Sequence, residues 1–117
     1  MQKIIMSPSR YVQGAGEVSK LPEHVGKFGT SALVLMSGTM MRTKADELKA
    51  SFEAAGIKFT AEKFNGECSK VEIARLQAIV KAEGCDVVVG IGGGKTLDTA
   101  KATAHYEKLP VVIAPSI

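Results

Sequence analysis

A chain of 117 residues with 45% hydrophobic and 23% charged residues has the size and composition of one globular domain. The net charge of +3 is small, and basic residues are interspersed with acidic ones, which argues against a nucleic-acid-binding protein. No apolar run approaches the roughly 20 residues that cross a bilayer, and the N-terminus lacks a signal-peptide core, so we expect a cytoplasmic protein with no membrane partner.

The first third of the chain predicts a strand, a helix and a buried strand. Residues 7–14 form the expected first strand, and residues 17–27 have the apolar spacing of a short helix. Pro22 lies inside that helical pattern, so the helix is expected to start later or to kink. Residues 32–36 are apolar throughout and predict a buried strand that ends before Ser37.

The middle of the chain predicts two helices separated by a strand. Thr43 is the expected N-cap of the first helix, and residues 57–64 alternate in polarity, which is typical of a strand near the sheet edge. Ser69 and Glu72 have the spacing of a capping box and begin the second helix, which ends at Gly84.

The last third predicts two more strands with a helix between them. The β-branched run that follows Asp86 and leads into the glycines is typical of a parallel strand covered on both faces. Leu97, Ala100 and Ala104 have helical spacing, and residues 111–114 predict the final strand. This alternation predicts an α/β fold, a Rossmann-like parallel sheet with helices on both faces.

Glycines join the central strand to the helix that follows it. Gly92, Gly93 and Gly94 stand at the predicted turn, and Lys95 comes directly after them. Backbone N–H groups at a helix start have no intrahelical partner and face the positive end of the helix dipole. Glycine lets an anion approach those groups closely, and Lys95 would add a point charge. The segment therefore predicts a phosphate or pyrophosphate cradle.

Two familiar phosphate-binding patterns do not fit this segment. Gly94-Lys95-Thr96 resembles the end of a Walker motif, but the first glycine of that motif falls on Val89. The dinucleotide pattern G-x-G-x-x-G begins at Gly90 and Gly92 and then meets Lys95 in place of the third glycine. The alternative is that these glycines serve only tight packing of the turn.

Cysteines and histidines do not form a recognisable metal or disulfide framework. Cys68 and Cys85 are too few for either, and Cys85 is expected to be a small buried apolar residue. His24 and His105 are expected to be structural or solvated, since His105 lies near a helix end where an imidazolium suits the dipole.

The glycine segment resembles that of a known enzyme family. Residues 92–101, Gly-Gly-Gly-Lys-Thr-Leu-Asp-Thr-Ala-Lys, are similar to the glycine motif of the glycerol dehydrogenases, within the metal-dependent alcohol dehydrogenase superfamily often called iron-containing. Further similarity lies in residues 7–14, 64–69, 109–112 and 114–117. The resemblance spans the chain but covers only roughly the first third of a typical family member.

This resemblance implies a dinucleotide-binding domain in an enzyme that oxidises glycerol to dihydroxyacetone with NAD and a divalent metal, usually zinc. Gly92 begins the motif, and the amides of Gly93, Gly94 and Lys95 would hold the pyrophosphate. Asp98 would lie near the nicotinamide, although a carboxylate there also suits the helix dipole without any cofactor.

Two further positions follow from the resemblance. Ser116 would stand where the family usually has a threonine that contacts NAD. The family also has an acidic residue after the second strand, which receives the adenosine ribose, and this chain has Ser37-Gly38-Thr39 instead. Loss of that carboxylate removes the repulsion toward a 2′-phosphate. We therefore expect relaxed selectivity between NAD and NADP, with Arg42 or Lys44 as phosphate partners.

The ligands that bind the metal in this family, an Asp and two His, match no residue of this chain. We therefore expect residues 1–117 to be an incomplete dinucleotide-binding domain that lacks the helical metal-binding domain and is inactive alone. Two alternatives stay open: a dehydrogenase of another small diol, and a non-catalytic nucleotide-binding or interaction fragment. A fragment of this kind would expose apolar surface, which predicts self-association.

Overall fold

The computed structural model describes residues 20–115 and the backbone of Ser9–Tyr11. Five strands and four helices alternate along it: β1 (Ser9–Tyr11), α1 (Leu21–Val25), β2 (Ser31–Met36), α2 (Gly38–Ala54), β3 (Lys58–Lys63), α3 (Lys70–Glu83), β4 (Val87–Gly92), α4 (Gly94–Glu107) and β5 (Val111–Pro115). None of the helices in these described ranges is long and apolar enough to cross a membrane.

All five strands belong to one parallel sheet with the order β1-β5-β4-β2-β3. β4 therefore lies between β2 and β5, as expected for its unbroken apolar run, and every residue of β4 is buried. β3 lies at one edge, where its residues are only partly buried, which confirms the edge position indicated by its alternating polarity.

Successive side chains of each strand point to opposite faces of the sheet and build two cores. In β2, Val34 and Met36 pack with residues of α1 and α2 on one face. Leu33 and Leu35 pack with residues of α3 and α4 on the other face. The Rossmann-like arrangement with helices on both faces is thus confirmed.

Asp86 fixes the start of β4 against the start of β2. Its carboxylate accepts hydrogen bonds from the backbone N–H groups of Thr30 (3.1 Å) and Ser31 (2.9 Å). The backbone N–H of Asp86 also donates to the carbonyl of Ser31 at 2.8 Å, and β4 begins at the next residue, Val87.

Gly90 lets α4 pack directly on β4. A Cβ built on Gly90 would lie only 2.7 Å from Cβ of Ala100, which is closer than two carbon atoms can approach. Ala100 and Gly90 are both buried in the core on the α4 side. These two small residues determine how near α4 comes to the sheet, and hence where the amino end of α4 lies.

The structure corrects the predicted start of α2. Ser37, not Thr43, is the N-cap, because the hydroxyl oxygen of Ser37 accepts a hydrogen bond from the N–H of Met40 at 3.3 Å. Thr43 lies inside the helix, where its hydroxyl donates to the carbonyl of Thr39. Met40 packs partly against the core, so α2 contacts the core from its first turn, six residues before the predicted N-cap would allow.

Other element boundaries agree in part with the sequence. α1 starts later than predicted, with Pro22 in its first turn, as the fixed φ of proline favours. Gly84 ends α3 as predicted, with the positive φ of 66° that glycine adopts without strain. The predicted residues 7–8, 12–14 and 17–19 lie outside the described residues.

Replacement of Gly90 tests the close packing between β4 and α4. Gly90→Ala should lower the free energy of unfolding by about 1–3 kcal/mol, because the new methyl group overlaps Ala100. Urea denaturation of the chain measures this change.

Gly94→Ala is the matched control, because a Cβ on Gly94 meets no atom within 4 Å and alanine favours a helix. Its stability should be unchanged or higher. An equal loss of stability in both variants would contradict the packing role of Gly90.

Candidate functional site

The carboxyl ends of β2 and β4 lie side by side in the sheet, and we call the region above them the crevice. The chain leaves β2 for α2 on one face and leaves β4 for α4 on the other, so these adjacent strands flank the point where the strand order reverses. Parallel sheets bind ligands at such points. Ser37 and the glycine segment border this crevice, and the N–H of Ser37 donates to the carbonyl of Ile91 at 3.1 Å.

Gly92 has a packing role. Its φ is 151°, and a Cβ at this position would lie 3.0 Å from Cβ of Ser37 and 3.1 Å from Oγ1 of Thr96. A larger residue would therefore be strained and would push α2 and α4 apart. Tight packing of the turn is therefore enough to explain the glycine at position 92.

Gly93 and Gly94 do not have that explanation. Gly93 is the N-cap of α4 and Gly94 its first residue, and a Cβ on either would meet no protein atom within 4 Å. Both have backbone angles open to other residues, since neither φ is positive. The surface above these two glycines is therefore open, and packing does not require glycine at either position.

The amino end of α4 has donors without matching acceptors on its own residues. The first helical hydrogen bond runs from the N–H of Leu97 to the carbonyl of Gly93 at 3.0 Å. The N–H groups of Gly94, Lys95 and Thr96 precede it and so have no intrahelical acceptor. Gly93 carries no capping side chain, and the first turn contains no acidic residue. An anion would satisfy these donors and the helix dipole together.

Lys95 lies in the first turn of α4, as predicted, and it already has an anionic neighbour. Its Nζ is 3.3 and 3.4 Å from the two carboxylate oxygens of Glu67. Both side chains are exposed, 67% for Lys95 and 74% for Glu67, so the pair contributes little to stability. Sequence reasoning missed Glu67, which lies in the loop after β3.

The remaining predicted site residues are dispersed around the crevice. Asp98 is exposed on α4, one turn beyond Gly94. Ser37 lies at the crevice, but its side chain also serves as the N-cap of α2. Ser116 lies outside the described residues. The structure thus places Ser37 beside Gly92, at the turn that continues through Gly93 and Gly94 to Lys95. A cofactor-binding role for these residues, for Asp98 and for Ser116 stays a prediction.

A charged cluster holds the loop between β3 and α3, residues 64–69, which we call the β3–α3 loop. The carboxylate of Glu72 accepts hydrogen bonds from Arg75 at 2.7 and 2.8 Å and from the N–H of Asn65 at 3.2 Å. Arg75 also donates to Glu62 at 2.6 Å. The predicted capping box is only half formed, since Ser69 accepts from the N–H of Glu72 while the Glu72 carboxylate bonds elsewhere.

The electrostatics of this cluster follow from its geometry. The side chain of Glu72 is completely buried, yet hydrogen bonding to Arg75 lowers the pKa of that carboxyl, and the N–H of Asn65 lowers it further. Glu72 correspondingly raises the pKa of Arg75. The cluster therefore remains charged and fixes the β3–α3 loop.

Two cations converge on the start of α2. Nη1 of Arg42 lies 3.4 Å, and Cε of Lys63 3.3 Å, from the point where a Cβ on Gly38 would be. Lys44, the other predicted phosphate partner, instead pairs with Glu47 at 3.8 Å. The sequence did not indicate Lys63 as a site residue. It lies at the carboxyl end of β3, which comes close to Gly38 only when β2 and β3 pair.

The described residues do not fit a metal ion. Within residues 9–11 and 20–115, no group of three His, Cys, Asp or Glu side chains is arranged to hold one. Cys85 is buried, as predicted, and its burial raises the pKa of the thiol. Cys68 is exposed in the β3–α3 loop.

Comparison with known proteins agrees with this geometry. A family described as iron-containing alcohol dehydrogenase matches residues 8–116. The glycerol dehydrogenase of Citrobacter freundii is 44% identical over 117 residues, which are 100% of this chain and 32% of that protein. The glycolaldehyde reductase of Halobacterium salinarum is 36% identical over 117 residues, again 100% of this chain and 32% of that protein.

A solved structure shows the same arrangement of elements. The crystal structure of glycerol dehydrogenase from Schizosaccharomyces pombe aligns with a TM-score of 0.80 at 34% identity and covers 97% of this chain and 29% of that one. The chain thus spans about a third of the length of the curated relatives described above.

Glu72→Gln tests the cluster that holds the β3–α3 loop. We expect a loss of about 1–3 kcal/mol in unfolding free energy at neutral pH, because the Arg75 guanidinium loses its charged partner. Since the folded pKa of Glu72 lies below its ordinary value of 4.5, its stabilisation is present above that value and is lost as the pH falls through the folded pKa.

The stability difference between wild type and Glu72→Gln should therefore be full at neutral pH and should narrow on acidification. Urea denaturation at several pH values measures it. Glu47→Gln removes one exposed i,i+3 ion pair and should change stability by less than about 0.5 kcal/mol. A difference for Glu72→Gln that stays constant with pH would show that the charge of Glu72 is not responsible.

Proposed function

Because this chain belongs to the iron-containing alcohol dehydrogenase family, we propose that it is the dinucleotide-binding portion of a glycerol dehydrogenase that oxidises glycerol to dihydroxyacetone with NAD. Open space above Gly93 and Gly94 at the start of α4 carries this proposal. A bound pyrophosphate would occupy that space and accept hydrogen bonds from N–H groups that lack intrahelical acceptors.

The side chains around the crevice have separate roles in this proposal. The amides of Gly93, Gly94 and Lys95 bind the pyrophosphate, and the Lys95 ammonium adds a positive charge. Ser37 borders the adenosine half of the cofactor at the end of β2. Asp98 lies toward the nicotinamide half, and Ser116 stands where the family usually has a threonine that contacts NAD, as the family resemblance implies. Gly92 keeps α2 and α4 close enough to form the crevice.

Catalysis requires groups beyond those that the structure describes. Family membership implies a metal in full-length members, and a metal stabilises the developing alkoxide while hydride passes to the nicotinamide. The described residues do not provide three ligands for one. We therefore propose that residues 1–117 bind the cofactor but do not by themselves oxidise glycerol, even with added divalent metal.

The proposed cofactor is NAD, with NADP also accepted. The residues after β2 are Ser37-Gly38-Thr39, which provide no carboxylate to repel a 2′-phosphate. Arg42 and Lys63 both lie near Gly38 and could pair with that phosphate. Arg42 is the stronger candidate, since a guanidinium can bind phosphate through two donors at once.

A second candidate substrate has a specific observation in its favour. The Halobacterium salinarum relative, as similar in coverage as the glycerol dehydrogenase from Citrobacter freundii, is a glycolaldehyde reductase. The cofactor crevice therefore occurs in proteins named for different small hydroxylated substrates. A dehydrogenase acting on another small diol, or on its aldehyde, is the alternative proposal.

Gly94→Val tests the pyrophosphate cradle. The Cα–Cβ bond of a helical residue tilts toward the helix amino terminus, so the valine side chain would enter the space proposed for the ligand. We expect NAD⁺ affinity, measured by isothermal titration calorimetry on the full 117-residue chain, to fall at least about tenfold, equivalent to about 1.4 kcal/mol.

Gly94→Ala should cause a smaller loss, and Ala82→Val, which places the same valine side chain at an exposed position of α3, should cause none. Thermal unfolding of each variant verifies that the fold is retained. Undiminished NAD⁺ binding by a folded Gly94→Val chain would exclude the proposed cradle.

Arg42→Ala tests the cofactor selectivity. We expect wild type to bind NAD⁺ and NADP⁺ with affinities within about tenfold of each other. The variant should lose about tenfold in NADP⁺ affinity, the effect of one charge-assisted hydrogen bond, and retain its NAD⁺ affinity. Lys44→Ala is the control and should change neither. A wild-type preference for NAD⁺ of more than about tenfold at fixed salt would contradict this proposal.

A further inference from the structure

The β3–α3 loop extends across the end of β2 to reach the proposed cradle. β3 is at the edge of the sheet, and β2 lies between it and β4, which leads into α4. Glu67 in this loop nevertheless contacts Lys95 in the first turn of α4, with both carboxylate oxygens within 3.4 Å of Nζ. An anionic side chain of the protein is thus paired with the cation proposed to meet phosphate.

Glu67 is held in this position by hydrogen bonds of the loop backbone. The N–H of Phe64 donates to the carbonyl of Met36 at 2.8 Å, which ties the loop to the end of β2. The N–H of Asn65 donates to the buried carboxylate of Glu72. The N–H of Glu67 itself donates to Oδ1 of Asn65 at 3.0 Å. The backbone beneath Glu67 is therefore fixed, whereas its side chain is exposed.

We propose that Glu67 acts as an internal counter-ion of Lys95 that lowers the affinity of the crevice for phosphate. Without a bound anion it neutralises the Lys95 ammonium. A pyrophosphate bound to the amides of Gly94 and Lys95 would bring negative charge close to the same ammonium and would displace the Glu67 carboxylate from it. Loss of the ion pair between Glu67 and Lys95 reduces the net gain from binding. This inference rests on the proposed function.

Displacement of Glu67 is feasible because the pair is exposed. Its carboxylate is hydrated once it leaves Lys95, and movement of the side chain requires no change in the backbone hydrogen bonds of the loop. Glu67 therefore weakens cofactor binding without preventing it, which favours release of the cofactor from the crevice.

Glu67→Gln tests the inference, with inorganic pyrophosphate and NAD⁺ as probes in isothermal titration calorimetry on the full chain. Exposed ion pairs change equilibria by factors of about two to five, so we expect both probes to bind about two- to fivefold more tightly to the variant. Thermal unfolding verifies that this exposed substitution preserves the fold.

Glu83→Gln is the matched control. Glu83 forms an exposed pair with Lys58 at 2.8 Å. Lys58 begins β3, so this pair lies at the amino end of the sheet, and replacement of Glu83 removes the same charge away from the carboxyl end that borders the crevice. The affinities for pyrophosphate and NAD⁺ should change much less in Glu83→Gln than in Glu67→Gln. An equal gain from Glu67→Gln and Glu83→Gln would attribute the effect to net charge and overturn the inference.

Lys95→Met distinguishes action through Lys95 from direct repulsion of the ligand. In that background, Glu67→Gln should no longer change pyrophosphate affinity. A persistent gain, or equal binding by wild type and Glu67→Gln, would overturn the counter-ion role while leaving the cradle intact. Absence of pyrophosphate and NAD⁺ binding to wild type and all variants would instead remove the proposed function, and this inference with it.

Discussion

Contact between α4 and β4 is the constraint on which the crevice depends. Gly90 and Ala100 allow the helix to lie directly on the central strand, and the chain passes from strand to helix through Gly92 and the N-cap Gly93. The free N–H groups of the first turn therefore face the carboxyl end of the sheet. A larger side chain at the contact would move the helix, and with it every donor of the proposed cradle.

The glycine segment serves two purposes that its sequence does not separate. Gly92 is required by its backbone conformation and by its contact with Ser37 and Thr96. Gly93 and Gly94 have ordinary backbone angles and no close neighbours, so packing gives no reason for glycine there. The three consecutive glycines thus differ in role: the fold requires the first, and the other two leave an open surface. Only the atoms around each glycine in the structure show this difference.

Local patterns predicted the order of elements because each depends on residues close in sequence. Residues within a few positions of each other determine three of these features: the apolar run of β4, the alternating polarity of β3 and the helix end at Gly84. The N-cap of α2 was placed wrongly at Thr43, since both Ser37 and Thr43 are suitable capping residues. The choice was decided by Met40, whose side chain packs against a core that forms only when the sheet assembles.

Contacts between distant elements could not be predicted in the same way. Glu67 and Lys95 are 28 residues apart and meet only because the β3–α3 loop extends past the end of β2. Lys63 approaches Gly38 for a similar reason, through the pairing of β2 with β3. Sequence reasoning therefore located the glycine turn at the start of α4, a local feature, and missed the charged residues near it.

These surrounding charges give the crevice an asymmetry that bears on its chemistry. At the end of β2, Arg42 and Lys63 approach Gly38 without an acidic neighbour in the contacts described above. At the start of α4, Lys95 is paired with Glu67. Among the described residues, an anion would therefore meet cations without an acidic partner on the α2 side and a paired cation on the α4 side. A 2′-phosphate would gain from the first arrangement, whereas a pyrophosphate would rely on the backbone N–H groups of α4, whose polarity does not depend on pH or on a neighbouring carboxylate.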